Sequence, residues 1–258
     1  ITVFDDQLRI SGTCDEISEV VLLERWSELA PDIINSLKPA KEIWSGLRPM
    51  SLSGKPYICE TSLSGLWVNT KLQRDLYQDL IINGQKPKIM VICCSDSRVN
   101  PSDIFNVKPG DIFEHQNVAN IVPSVDSLGS SYGTLAAVEY AVMALKVEVI
   151  IVIGHEACGG IKGCLDGMGY NASGYVGKWV SVFNEVREKL IQQHIPKEKL
   201  QIEMELEGVR QSLRNLMTYK FVEEAVNSGQ LELLGSHFSV SNRELSIMNS
   251  NGEFKSLK

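Results

Sequence analysis

Long apolar runs are missing from this chain of 258 residues. Its most hydrophobic stretch, residues 147–154, falls far short of the ~20 residues that a bilayer-crossing helix needs, so no membrane span is expected. Positive charge is also in deficit. With 25 Lys and Arg against 32 Asp and Glu, the net charge is -7, which argues against nucleic acid or an anionic membrane surface as a main partner. Cysteine is scarce and irregularly placed (Cys14, Cys59, Cys93, Cys94, Cys158, Cys164), which excludes a disulfide-held secreted fold of this length. Reduced thiols are expected instead, in the cytoplasm or another reducing compartment. No CxxC pair is present, so a redox role has no motif behind it. Residues 1–12 lack the basic and continuous apolar regions of a signal peptide. The chain starts at Ile1 rather than Met, which leaves room for a targeting segment removed upstream. The remaining balance, 43% hydrophobic and 22% charged, suits one sizeable α/β domain with an appended arm.

The arm is residues 1–62. Its apolar residues are scattered, its tryptophans fall around Trp26 and Trp44, and Pro31, Pro39, Pro49 and Pro56 interrupt it. Short helices are expected around residues 16–37, making it an N-terminal helical arm, and it holds no catalytic constellation. Residues 63–258 have a sharper pattern. Leu66, Leu72, Leu76, Leu80 and Ile81 recur at helical spacing and run into an Asn83-Gly84 stop. Residues 89–94 read as a short buried strand and 111–115 as a second. A helix over 128–145, a buried strand over 147–153, and a helix from about residue 157 follow. Helices over 177–193 and 197–227 then lead to final strands at 231–234 and 244–248, expected at a sheet edge. This alternation predicts an α/β fold with a mainly parallel central sheet and helices on both faces. Sites in such sheets form at the carboxyl ends of strands.

Two motifs fall there. Cys94-Ser95-Asp96-Ser97-Arg98 closes the first strand, and His155-Glu156-Ala157-Cys158-Gly159-Gly160 closes the strongest one. Side chains alternate along an extended segment, so positions 94, 96 and 98 share a face that 93 lacks. Cys94 is therefore the expected ligand and Cys93 a small buried hydrophobe. With His155 and Cys158 it gives two thiolates and one imidazole, three protein ligands, which is the count of a catalytic zinc site with its fourth position left to water. Residues 63–258 thus read as a zinc-binding catalytic domain. Beside zinc, Asp96 has two alternative roles: it accepts a hydrogen bond from bound water, or it ligates the metal and closes the site. Arg98 governs the choice, because a bidentate guanidinium holds a carboxylate away from the ion. Gly159 and Gly160 begin a helix whose free N–H groups favour a small anion.

These residues resemble the β-class carbonic anhydrases over roughly residues 63–245. The matching stretches are Gly84-Gln85-Lys86-Pro87, Cys94-Ser95-Asp96-Ser97-Arg98-Val99, Asn117-Val118-Ala119-Asn120, residues 137–142, Gly154-His155 with residues 157–163, and residues 207–213. The resemblance implies reversible hydration of CO2 to bicarbonate by zinc-bound hydroxide. It implies Cys94, His155 and Cys158 on Zn2+, and Asp96 with Arg98 as the catalytic dyad. Gln85 and the Gly159 N–H would orient CO2 or bicarbonate, and Phe113, Val118 and Tyr140 would wall the pocket, partly from a neighbouring subunit. It further implies an antiparallel edge strand and a homodimer or higher even homo-oligomer. Two positions depart from the family pattern. Gln116 replaces an arginine that helps bind inhibitory bicarbonate in some members, and Ala144 stands where some members carry a proton-transferring histidine. Two other readings share the motif: hydrolysis of COS or CS2 at the same zinc, and non-catalytic bicarbonate binding.

Overall fold

The computed structural model describes the strands at residues 2–4, 7–10, 42–43, 58–60 and 67–69, together with residues 74–127, 132–170 and 174–257. The helices expected around residues 16–37 lie outside the described residues. Two compact units divide the chain at Asn83 and Gly84. In the first, β1 (Thr2–Phe4) pairs antiparallel with β2 (Gln7–Ile10), which runs parallel to β3 (Glu42–Ile43). β4 (Ile58–Glu60) and β5 (Trp67–Asn69) form an antiparallel pair. The helix expected from Leu66 therefore starts later, as α1 (Arg74–Asn83), because Trp67-Val68-Asn69 pairs as strand, the preference of aromatic and β-branched residues. Its expected stop holds: Gly84 follows at φ +71°, the left-handed helix end that glycine adopts without cost.

The second unit is built on β6 (Ile89–Cys94), β7 (Ile112–Asn117), β8 (Val149–His155), β9 (Glu232–Ser239), β10 (Glu244–Met248) and β11 (Phe254–Ser256). Their order is β11-β10-β9-β8-β6-β7. The four strands β7, β6, β8 and β9 are parallel, and β10 and β11 extend the sheet by antiparallel pairing. Residues 231–234 thus belong to an interior strand rather than an edge. The edge strand β11 was not expected, since its three residues carry no alternation long enough to recognise. Along β6, Met90 and Ile92 pack into one core while Val91 and Cys93 pack into another on the opposite face.

The helices are α2 (Pro101–Phe105), α3 (Tyr132–Glu139), α4 (Gly159–Leu165), α5 (Tyr175–Val180), α6 (Asn184–Gln192), α7 (Lys197–Leu216) and α8 (Lys220–Asn227). α3 runs on into a π-helical turn, Tyr140–Leu145. The single helix expected over 197–227 is two. Tyr219 leaves helical geometry because its buried hydroxyl donates to the Pro123 carbonyl at 2.6 Å. The helix expected over 177–193 is interrupted by a 3-10 turn, Ser181–Phe183, that inserts Phe183 fully into the core. α7 is the spine of this unit. Met204, Gly208, Val209, Ser212 and Leu216 recur at three- and four-residue steps on its buried face. It lies so close to β8 that a Cβ on Gly154 would meet Val209 Cγ2 at 2.7 Å. It also holds the loop after β7: Ser212 Oγ donates to Asn120 O and accepts from Val122 N, and Asn215 Nδ2 donates to Val122 O at 2.7 Å.

Candidate metal centre

β6 and β8 are neighbours in register, Cys93 opposite Ile153, so their carboxyl ends bring Cys94 and His155 together. The chain then reverses. Ala157 adopts φ +56°, Cys158 is extended at φ −66° and ψ 119°, and α4 starts at Gly159, two residues later than expected. The reversal returns the Cys158 sulfur to 4.0 Å from the Cys94 sulfur. Sulfurs and imidazole nitrogen all lie within 4.8 Å of one another, and all three residues are buried. Two zinc–sulfur bonds of about 2.3 Å at a tetrahedral angle put the sulfurs about 3.8 Å apart.

The rest of the donor chemistry also fits a metal. His155 Nδ1 pairs with the Glu156 carbonyl at 3.0 Å, which leaves Nε2 with the lone pair; that buried atom has no hydrogen-bond partner. A buried imidazole nitrogen without a partner is costly unless something absent completes it. Cys94 falls to about 4, chiefly through its hydrogen bond with Cys158, aided by His155 and by the Ala119 N–H at 3.3 Å. Its partner Cys158 rises, because Cys94 holds its proton and because it is buried. Cys93 is different. It is fully buried among Val91, Val99 and Ile153, and burial pushes its thiol up to about 12. Cys94 and Cys93 thus pack on opposite faces of β6.

Strand alternation does not reach the Asp96–Arg98 pair, contrary to the expectation that positions 94, 96 and 98 share a strand face. β6 ends at Cys94, and Asp96 and Arg98 meet through a turn rather than along a strand face. Asp96 Oδ1 accepts from the Arg98 backbone N–H at 3.0 Å and from Nε at 2.8 Å, while Nη2 donates to Oδ2 at 2.7 Å. Arg98 holds the carboxyl well below the usual carboxylate range. Nη2 also donates to the Ala157 carbonyl at 3.1 Å, fixing the guanidinium against the His155–Cys158 turn. Asp96 is not part of the three-residue cluster of ligand atoms.

The remaining expected residues are spread around this centre. Val118 is 38% exposed, and a Cβ on Gly160 would meet its Cγ1 at 2.8 Å, so it stands beside the start of α4. Gly159 is exposed with open space where a Cβ would be. Phe113 and Tyr140 pair with ring centroids 5.8 Å apart, Tyr140 half exposed. Gln85 is exposed and makes no hydrogen bond to the cluster. Ala144 is exposed on the π-helical turn, and Gln116 donates to the Cys93 sulfur at 3.6 Å. Sequence reasoning missed the residues that hold the centre. Asn117 Oδ1 accepts from Ile121 N at 2.8 Å, fixing the turn in which Ala119, at φ +63°, aims its N–H at Cys94. Gln201 and Glu205 reach Cys158 from α7. Asn117 lay in a quoted motif without a role; a glutamate within a helix gives no local signal.

Residues 89–245 match the family model described as carbonic anhydrase. Beta carbonic anhydrase 3 of Arabidopsis thaliana is 37% identical over 168 residues, 63% of this chain; the aligned part spans 64% of that relative's length. Among solved structures, the β-carbonic anhydrase CcaA superposes with a TM-score of 0.66 at 32% identity, covering 72% of this chain and 83% of that one. A tetrameric β-carbonic anhydrase of Sordaria macrospora gives 0.58 at 32% identity, covering 72% and 87%.

Proposed function

The chain belongs to the β-class carbonic anhydrase family, and on that premise we propose that it catalyses the reversible hydration of CO2 to bicarbonate and a proton. The observation that carries this reading is the convergence of two sulfurs and an unpartnered, buried imidazole nitrogen beside an aspartate gripped by an arginine. Cys94, His155 and Cys158 hold the metal. Zinc bound there would lower the pKa of a water ligand to about 7 and so supply hydroxide at neutral pH. An ionised Asp96 can accept hydrogen bonds but not donate them, and the Arg98 grip keeps it ionised. It accepts a hydrogen bond from the attacking oxygen, which keeps its hydrogen, and so turns a lone pair toward CO2. Arg98 holds the carboxylate back from the ligands, which favours the open rather than the closed form of the site.

Val118, Phe113 and Tyr140 supply apolar walls, and Gln85 and the Gly159 N–H orient CO2 and bicarbonate. Val118, Val125, Tyr132, Tyr140 and Met143 leave large apolar side chains exposed. This supports a homodimer or higher even homo-oligomer in which neighbouring subunits complete the pocket walls. The dyad weighs against a binding-only protein, because holding bicarbonate requires no acceptor for the nucleophile's hydrogen. Stopped-flow CO2 hydration with zinc quantified in the same sample tests the proposal, and parallel assays with COS and CS2 set the substrate. Zinc-loaded protein that does not hydrate CO2 would overturn it.

A further inference from the structure

Among the described residues, Glu205 is the only buried carboxylate, 2% exposed on α7, and the chemistry above does not use it. Removing an ionised carboxylate from water is costly unless partners replace the solvent. Its partners are specific. Oε1 accepts the Cys158 N–H at 3.0 Å and Gln201 Nε2 at 3.1 Å, and Oε2 meets His237 Nε2 at 3.2 Å. The Gln201 amide also reaches the Cys158 carbonyl at 3.4 Å.

The peptide joining Ala157 to Cys158 is thus gripped from two sides. Glu205 takes its N–H and Arg98 donates to its carbonyl. This is where the chain needs holding: Ala157 sits in the left-handed region, which is unfavourable for a residue with a Cβ. The reversal it makes is what turns the Cys158 sulfur toward Cys94 and His155. We propose that Glu205 is a positioning residue of the metal centre, which fixes the Ala157–Cys158 peptide and, through it, both the Cys158 ligand and the Arg98 that orients Asp96. The inference rests on the metal reading above. Glu205 acts by placing an acceptor oxygen at one point, so its reach matters and its charge does not.

Two conservative variants separate reach from charge. Glu205→Gln keeps an oxygen at the same distance, and its amide meets a His237 nitrogen that accepts in the right tautomer. Glu205→Asp keeps the charge but is one methylene too short. Co2+ titration of the metal-free full chain, read by thiolate-to-cobalt absorption and by Zn2+ competition, measures affinity without reference to activity. Glu205→Gln should bind within about threefold of the parent, and Glu205→Asp about 10–100-fold more weakly. Equal affinities in all three proteins, or an aspartate variant that binds better than the glutamine variant, would overturn the proposal. So would a loss of about tenfold or more in Glu205→Gln, which decides the matter alone if Glu205→Asp fails to fold by circular dichroism. A parent that binds no cobalt would instead remove the metal reading itself.

Discussion

Serine at position 93 and serine at position 94 are chemically the same change in adjacent residues, yet their consequences should diverge. The Cys94 sulfur faces Cys158 at 4.0 Å and receives the Ala119 N–H at 3.3 Å. Structural zinc sites with four ligands bind with about 10–16 kcal/mol, so one thiolate contributes about 3 kcal/mol, roughly a hundredfold in Kd. Cys94→Ser should therefore lose zinc during gel filtration against a chelator, and its activity with it. Cys93 lies on the other face of β6, packed against Val91, Val99 and Ile153. A hydroxyl there is buried, with the Gln116 amide as its donor, at a cost of about 1–3 kcal/mol. Each kcal/mol lowers Tm by about 2–4 °C in a chain of this size. Cys93→Ser should thus keep one zinc per chain and melt a few degrees lower. Zinc analysis and thermal unfolding of both variants are decisive. A zinc-free Cys93→Ser beside a zinc-loaded Cys94→Ser would refute the strand register and the ligand set together.

Asp96→Asn should retain zinc but lose about 10²–10⁴-fold in stopped-flow hydration, because an amide also donates and no longer selects the nucleophile's orientation. Arg98→Ala should free Asp96 to swing onto the metal; a crystal structure with Asp96 unmoved would contradict this. Gly160→Ala places a Cβ 2.8 Å from Val118 Cγ1 and 2.9 Å from the Ala119 Cβ, and should cost about 1–3 kcal/mol in urea unfolding. Burial opposes ionisation of Glu207, but hydrogen bonds from Arg214 and Arg210 outweigh it and hold its carboxyl below the ordinary value. A depressed carboxyl stabilises the fold above its unfolded pKa of about 4.3, and that contribution fades as pH falls through the lower folded value. Glu207→Gln should therefore flatten the acid limb of the stability–pH curve; an unchanged slope would contradict the pairing.

The clustering of Cys94, His155 and Cys158 was legible because its signals are local. Ligand-type side chains stood at the ends of apolar runs, and the two-residue period of a strand is enough to separate Cys94 from Cys93. The four parallel strands and most helices followed from the same short-range patterns. Three things were not legible. Asp96 and Arg98 join through a turn, because β6 ends at Cys94, where its pairing with β7 ends, and pairing is set by another strand. The helix after residue 197 breaks because Tyr219 finds a carbonyl at Pro123, far back in the chain, with no glycine or proline to mark the stop. Glu205 reads as one more acidic residue on an amphipathic helix until α7 is laid against β8 and its carboxylate meets the Cys158 peptide. Residue type and spacing fix what chemistry a chain holds. Which backbone groups that chemistry depends on is decided by contacts between distant segments, whose free energy leaves no periodic trace in either one.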